Sequence, residues 1–503
     1  MTIKSESPTR GSNRVSTGIA GLDDILAGGW PANHVYLVEG NPGTGKTTLA
    51  LQFLREGARV GEPVLYVTLS ESKHELEGIA ESHGWSLDAV PVFEYIQGEE
   101  SLRPENEYSA LYPSEVEFHD AMQGVLNKVE EVRPARLVFD SLSEIRLLAG
   151  SSLRYRRQIL ALKHFFLHRN CTVLMLDDRT SEPHDIQLQS IAHGVLMLEP
   201  LERDYGIERR RLRMAKLRGS RFREGFHDYT IETGGVHVFP RLVASESRFP
   251  QTRGVAKSNV PALDALLGGG LPRGTSTLLT GPAGSGKSSV AVHYLFAAAQ
   301  RGETAALFHF DEGRNTLLTR SSQLGMDLGP FIDSGRIELH QFDPAEISPG
   351  EFTAVVRDAV EQHGARVIAI DSLNGFLNAM SGELQLLLQM HELCAYLNQR
   401  GVVTLIVLSQ SGLLGSMEAP IDVSYLADNV ILHRYFEVGG EVRKAISVLK
   451  KRTGYHEQTV RELRFHEAGI DLGEPITAFH GVLTALPAYT GPNSAREGPM
   501  HGR

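Results

Sequence analysis

A glycine-rich segment occurs twice in this chain, and the repeat constrains the fold more than any other feature. Gly40-Asn-Pro-Gly-Thr-Gly-Lys46-Thr47 returns as Gly281-Pro-Ala-Gly-Ser-Gly-Lys287-Ser288, with the two lysines 241 positions apart. Upstream, Gly21-Leu22-Asp23 and Gly28-Gly29-Trp30-Pro31 return at the same offset as Ala262-Leu263-Asp264 and Gly269-Gly270-Leu271-Pro272. Downstream, Val138-Phe139-Asp140-Ser141-Leu142 returns as Ala369-Ile370-Asp371-Ser372-Leu373 at an offset of 231. Lys216-Leu217-Arg218 returns as Lys450-Lys451-Arg452 at an offset of 234. Ordered landmarks with a drifting offset mark a duplication followed by small loop deletions. A chain of 503 residues is also too long for one ordinary core. The expected layout is a polar tail over 1–14, a first domain over 15–244, a linker over 245–253, a second domain over 254–486 and a flexible tail over 487–503. The tail after Leu486 is rich in Pro, Gly and Ser.

Each copy alternates short apolar strands with amphipathic helices. In the first, strands are expected at His34–Glu39, Pro63–Thr68, Ala135–Asp140 and Cys171–Leu176. Helices are expected at Thr47–Ala58, Ser72–Ser82, Ser114–Val132 and Tyr155–His168. That alternation predicts an α/β fold in which a mostly parallel sheet is covered by helices on both faces. Arg209–Lys216, Asp228–Ile231 and Val236–Phe239 read as short antiparallel strands added at the sheet edge.

An apolar strand feeds each glycine-rich loop and a helix leaves it, the context a phosphate-binding loop requires. Its glycines let backbone N–H groups turn toward phosphates, and the helix N-terminus favours anionic charge. The ATP-binding residues are then Gly43, Thr44, Gly45, Lys46, Thr47 and Thr48 in the first copy. In the second they are Gly284, Ser285, Gly286, Lys287, Ser288 and Ser289. Lys46 and Lys287 suit the β/γ-phosphates. Thr47 with Asp140, and Ser288 with Asp371, suit Mg²⁺, a hard cation held by oxygen.

Hydrolysis also needs a group that orients or deprotonates water. Glu71 follows one apolar strand and Asp311-Glu312 follow another at the same offset, so a carboxylate ends what is expected to be the strand beside each phosphate loop. Near each domain's end, Leu212, Met214, Lys216 and Arg218 alternate along a strand, as do Ile446, Val448, Lys450 and Arg452. Side chains two apart share a face. Each strand is therefore expected to carry two cations on its apolar face, placed to reach a neighbouring subunit's γ-phosphate as an arginine finger does.

The bulk numbers narrow the function. The chain is 41% hydrophobic and 22% charged, with a formal net charge of −11. An acidic chain works against non-specific nucleic-acid binding, which depends on releasing counterions with cationic surface. One basic run, Glu208-Arg209-Arg210-Arg211-Leu212-Arg213, reads as the exposed face of a strand. No apolar run reaches the roughly 18 residues of a membrane span, and the N-terminus lacks a secretory pattern. The only cysteines, Cys171 and Cys394, lie in separate apolar segments, which fits a reducing cytoplasm.

These loops, the paired segments around Asp140 and Asp371, and the stretch from Ser424 to Leu463 are where the chain resembles the KaiC family. The resemblance covers about Val15 to Leu486. It implies two tandem RecA-like P-loop domains, a homohexameric double ring with ATP at subunit interfaces, and ATP hydrolysis. It also implies that Lys216, Arg218, Lys450, Lys451 and Arg452 act in trans on a neighbour's nucleotide. In that family the first domain hydrolyses ATP slowly, and the second phosphorylates an adjacent Ser-Thr pair on itself. Here Ser424 matches the serine and Tyr425 stands at the threonine, so Ser424 is the implied phosphosite.

Other departures are specific. The family's acidic pair in the first domain is Ser70-Glu71 here, and Asn378 stands where an arginine is expected. The tail does not resemble the family's extended C-terminus, so binding of the clock proteins KaiA and KaiB is not implied. A signalling ATPase is the leading reading. A DNA-acting recombinase or helicase of the same superfamily, and an ATP-dependent scaffold, are the alternatives.

Overall fold

The computed structural model describes residues 14–95, 113–149, 151–178, 186–202, 206–244, 254–378, 383–410, 424–477, 479–480 and 488–489. The expected linker over 245–253 lies outside them, as do residues 1–13 of the expected N-terminal tail and nearly all of the C-terminal tail. The chain divides into two compact units, 1–241 and 242–503.

In the first unit, β1 (Val35–Gly40) runs into the phosphate loop and α1 (Lys46–Arg59) leaves it. There follow β2 (Val64–Thr68), α2 (Lys73–Ser82), β3 (Val92–Glu94), α3 (Pro113–Val132) and β4 (Arg136–Asp140). Then come α4 (Leu142–Ala149), α5 (Ser152–Leu167), β5 (Thr172–Asp178), α6 (Ile186–Ile191) and β6 (Gly194–Leu201). The edge is built by β7 (Arg209–Leu217), β8 (His227–Glu232) and β9 (Gly235–Phe239). The 9-stranded sheet has the order β9-β8-β7-β6-β1-β5-β4-β2-β3. The strands from β6 to β3 are parallel, and β7, β8 and β9 extend the sheet antiparallel. β1, β4 and β5 are almost entirely buried, as strands covered on both faces must be.

The second unit repeats this plan. Its elements are β10 (Ser276–Gly281), α7 (Lys287–Gln300), β11 (Thr304–His309), α8 (Arg314–Gln323), β12 (Ile337–Gln341) and α9 (Pro349–Glu361). They continue with β13 (Ala365–Asp371), α10 (Leu373–Asn378), α11 (Glu383–Gln399), β14 (Val403–Ser409), β15 (Asn429–Val438), β16 (Glu441–Lys451), β17 (Arg461–His466) and β18 (Gly469–Pro475). The sheet order, β12-β11-β13-β14-β10-β15-β16-β17-β18, is that of the first unit. These are two tandem RecA-like domains. In each unit hydrophobic clusters lie on the two faces of the sheet. Cys171 and Cys394 are both buried and unbonded.

Two details differ from the sequence reading. The basic run is not an exposed face, because none of Arg209, Arg210, Arg211 and Arg213 is exposed. Arg210 pairs with Glu208 at 2.6 Å, Arg211 pairs with Glu199 at 3.0 Å, and Arg211 and Arg213 lie over the Phe226 ring. The stretch meets its own partners, which leaves little cationic surface for a polyanion.

The second difference is a β-bulge in each edge strand. The register jumps from Val195–Lys216 to Leu196–Met214, leaving Ala215 unpaired, and from Val430–Lys450 to Ile431–Val448, leaving Leu449 unpaired. An extra residue reverses the alternation of faces. Lys216 therefore does not share the face of Leu212 and Met214; buried Leu217 does, within the same core. The expected single cationic continuation of the apolar face is corrected accordingly.

Candidate functional site

The parallel strands place their C-terminal ends, and hence the phosphate loops, on one edge of each sheet. In open α/β sheets that edge, where the strand order turns back beside β1 or β10, is the binding crevice. Gly45 and Gly286, the N-caps of α1 and α7, have φ of +83° and +97°. A Cβ there would collide with Ile231 or Phe465, so both conformation and space demand glycine.

In the first unit the Lys46 Nζ donates to Gly40 O at 2.9 Å and Asn41 O at 3.1 Å. It also pairs with Asp178 Oδ1 at 2.7 Å. The Thr47 hydroxyl lies 3.4 Å from Asp140 Oδ2, and the buried Tyr66 hydroxyl donates to the same oxygen at 2.5 Å. Burial raises the Asp140 carboxyl above the usual range, while Tyr66, Lys46 and Thr47 oppose the rise.

Glu71 is fixed through its backbone. The Thr68 hydroxyl donates to Glu71 O at 2.7 Å and accepts from Glu71 N at 3.0 Å. Ser72 then opens α2 with a capping box to Glu75. The Glu71 Oε2 is buried with no hydrogen-bond partner. Burial pushes this carboxyl up to about 7, with Asp140, Glu75 and Asp178 adding and Lys46 opposing. A general base works best with a pKa near the operating pH.

Glu71 does not end the strand beside the phosphate loop. β5 and β4 stand between β1 and β2. The residue that does end the adjacent strand is Asp178, paired in register with Gly40. Short-range spacing could not reveal this, because strand order is set by tertiary packing.

In the second unit Lys287, Ser288, Ser289, Gly284, Gly286, Asp311, Glu312 and Asp371 line one cavity of about 680 Å³. Lys287 Nζ donates to Pro282 O at 2.7 Å. Burial lowers its pKa to about 8, against the pull of Asp371. Burial likewise raises the Asp371 carboxyl, opposed by a hydrogen bond from Ser288 and by Arg320. Asp311 Oδ2 accepts from Ser372 Oγ at 2.7 Å. Glu312 is held by Arg320 through two bonds of 3.1 and 2.7 Å, and Arg320 also donates to Ser289 Oγ at 2.8 Å. Arg320 was not singled out by the sequence because Ile79 occupies its place in the first copy.

The cations near the domain ends sit at the opposite edge of each sheet. Lys216 pairs with Val195, whose neighbour in β1 is Leu37, well before Gly40. Lys216 donates to Gln189 O and to Ala192 O at 2.8 Å, and Arg218 donates to Ser190 O at 2.7 Å. Lys163, missed in the sequence, joins them by donating to Ile191 O at 2.7 Å. Carbonyls at the end of α6 thus gather three cations, as a helix C-terminus favours. Burial and mutual repulsion lower the pKa of Lys163 and Lys216. In the second unit Lys450 donates to Ala427 O at 2.8 Å, Lys451 to Leu267 O, and Arg452 pairs with Asp428 at 3.4 Å. Ser424 opens a short 3-10 helix, Ser424–Leu426, and Tyr425 beside it is 47% exposed. The Asn378 and Ser424 side chains lie outside the described residues.

The donor set fits Mg²⁺ with a triphosphate. Each loop pairs one hydroxyl with one buried carboxylate, and an unpartnered buried carboxylate oxygen stands nearby in the first unit. Among the described residues no cluster of three His, Cys, Asp or Glu could hold a metal alone. Mg²⁺ needs no such cage, since it keeps waters and takes substrate phosphates as ligands. No described helix is long and apolar enough to cross a membrane.

Comparison with known proteins agrees with this geometry. A family model described as the KaiC ATPase matches residues 15–243 and again 256–476. The circadian clock protein KaiC3 of Synechocystis sp. is 25% identical, covering 96% of both chains. The circadian clock oscillator protein KaiC of Parathermosynechococcus lividus is 27% identical over 96% of this chain and 89% of its own. That of Synechococcus elongatus is 26% identical over 94% of this chain and 92% of its own. The chain, with an ATP-binding ATPase domain in each half, belongs to the KaiC family.

Proposed function

We propose that both loops bind Mg·ATP and hydrolyse it within a homohexameric double ring that serves signalling. The observation that carries this is the repeated pairing of a loop hydroxyl with a buried strand-end aspartate, Thr47 with Asp140 and Ser288 with Asp371. Backbone N–H groups of residues 43–48 and 284–289 hold the phosphates, and Lys46 and Lys287 neutralise charge at the β/γ position. When bound, Mg²⁺ supplies electrostatic stabilisation of the phosphate oxygens.

Glu71 is the better placed base of the two acids, because one of its oxygens is buried and unpartnered while Glu312 is tied to Arg320. Glu71 takes the proton of the attacking water. The water oxygen bonds to the γ-phosphorus as the bond to the β–γ bridging oxygen breaks, and ADP leaves. Lys216 and Arg218, and Lys450, Lys451 and Arg452, stand at the sheet edge away from their own loops. That placement supports contact with a neighbour's nucleotide. Ser424, beside exposed Tyr425, is proposed as a phosphoacceptor of the second domain.

Phosphate release from Glu71→Gln, Glu312→Gln and the Lys46→Ala/Lys287→Ala double variant tests the reading. Loss of one acid should slow its domain by roughly 10²-fold or more, and the double variant should bind no nucleotide. Unchanged release in both single variants would mean that neither acid is catalytic. Phosphopeptide mapping after ATP incubation tests Ser424, and mass photometry with Mg·ATP tests the hexamer.

A further inference from the structure

The two domains carry the same pair of residues, one serine and one aspartate, in opposite places. At the end of β2 the first domain has Ser70, and the second has Asp311 at the matching offset of 241. At the end of the strand beside the phosphate loop the order is reversed. Asp178 pairs in register with Gly40, and Ser409 pairs in register with Gly281.

The exchange changes what each loop lysine meets. Asp178 Oδ1 stands 2.7 Å from Lys46 Nζ, and the pair is only partly open to solvent, with the two side chains 9% and 31% exposed. Ser143 supports it by accepting from Asp178 N at 3.4 Å. In the second domain Asn374 takes the place of Ser143 and is tied to the Ser409 backbone by bonds of 3.0 and 2.7 Å. Lys287 there is bonded to the carbonyl of Pro282, and Asp311 is bonded to Ser372 instead.

Resting on the reading that both loops bind ATP, we propose that Asp178 is a specificity-determining counter-ion that makes the first site discriminate against the γ-phosphate more strongly than the second. A nucleotide must take Lys46 from Asp178 and then keep its own charge beside that carboxylate. A diphosphate retains the loop N–H groups, which need no lysine. The γ-phosphate depends on the lysine most and brings the additional charge, so repulsion at close range falls mainly on the triphosphate. Ser409 supplies no such charge.

The test is a reciprocal exchange in the full chain, read by equilibrium binding of fluorescent ADP and of a non-hydrolysable ATP analogue with Mg²⁺. With the second site disabled by Lys287→Ala, Asp178→Ser should raise affinity for the triphosphate roughly tenfold relative to the diphosphate, a shift of about 1.4 kcal/mol. With the first site disabled by Lys46→Ala, Ser409→Asp should lower the same ratio at the second site. A ratio unchanged or moved the other way by Asp178→Ser overturns the proposal, since Asp178 would then be neutral or assist the γ-phosphate. If nucleotide binds with an unchanged ratio, only this proposal fails. If the parent single variants bind no nucleotide, the ATP-binding reading fails with it.

Discussion

The Tyr66 hydroxyl donates a 2.5 Å hydrogen bond to Asp140 Oδ2 in the first domain, whereas Leu307 stands at the matching place in the second. The bond is buried, and it holds the same oxygen of the carboxylate proposed for the metal that the loop hydroxyl of Thr47 approaches. Hydrogen bonds to charged groups contribute about 1.5–3 kcal/mol. Tyr66→Phe should therefore lower the stability of the first domain by about that amount. Denaturant unfolding followed by a probe in that domain checks it, and saturating Mg·nucleotide should shrink the loss by restoring partners to Asp140.

A second internal comparison concerns a partly buried ion pair. Arg146 Nη2 meets Asp177 Oδ2 at 2.9 Å, and the matching residues in the second domain are Leu377 and Leu408, both in its core. Removing one partner strands the other charge, costing roughly 3–5 kcal/mol for a buried pair, while replacing both with apolar residues is often neutral. Arg146→Leu alone and Asp177→Leu alone should each destabilise the domain. The double variant should recover most of the loss in thermal unfolding.

Acid should weaken both domains through buried histidines. Burial, with Lys287 adding, lowers the His433 pKa to about 3, and burial lowers that of His227 to about 4. In the unfolded chain each titrates near 6.5. Below that value the unfolded state binds protons the folded state refuses, so stability falls as pH falls, down to about 3 for His433 and about 4 for His227. By pH 5.5 each should have cost its domain about 1.4 kcal/mol. Denaturation at pH 7.5 and pH 5.5 checks the slope, and His433→Gln should flatten it in the second domain only.

Lys216 and Arg218 lie at the sheet edge away from their own loop, so their proposed role makes a statement about mixtures. Lys46→Ala and the Lys216→Ala/Arg218→Ala variant should each lose first-domain hydrolysis. Co-assembled in equal amounts, with Lys287→Ala in both, they should regain about a quarter of the parent rate, the share of interfaces complete in a random ring. No recovery would place the cations outside the neighbour's site.

The loops, the paired aspartates and the duplication were legible in the sequence because each is written in a short contiguous run. Phosphate binding needs glycines, a lysine and a hydroxyl at fixed local spacing, and the periods of strand and helix report burial directly. The expected positions of β1, α1, β2 and β4 agree with the structure to within a residue or two for the same reason. Missed were β6, which closes the parallel set beside β1, and β3, only three residues long.

Other features depended on contacts between distant segments. Strand order decided that Asp178, rather than Glu71, ends the strand beside the loop. One unpaired residue at Ala215 turned Lys216 off the apolar face, and a bulge has no local signature when the strand simply continues. Arg320 on α8 reaches Ser289 at the start of α7, a contact between segments that only the packed fold brings together. The sequence by itself determined two ATP-binding RecA-like domains, since that chemistry is local. Only the tertiary structure decided how their sites differ, since neighbours far apart in the chain set the charge each lysine and carboxylate meets.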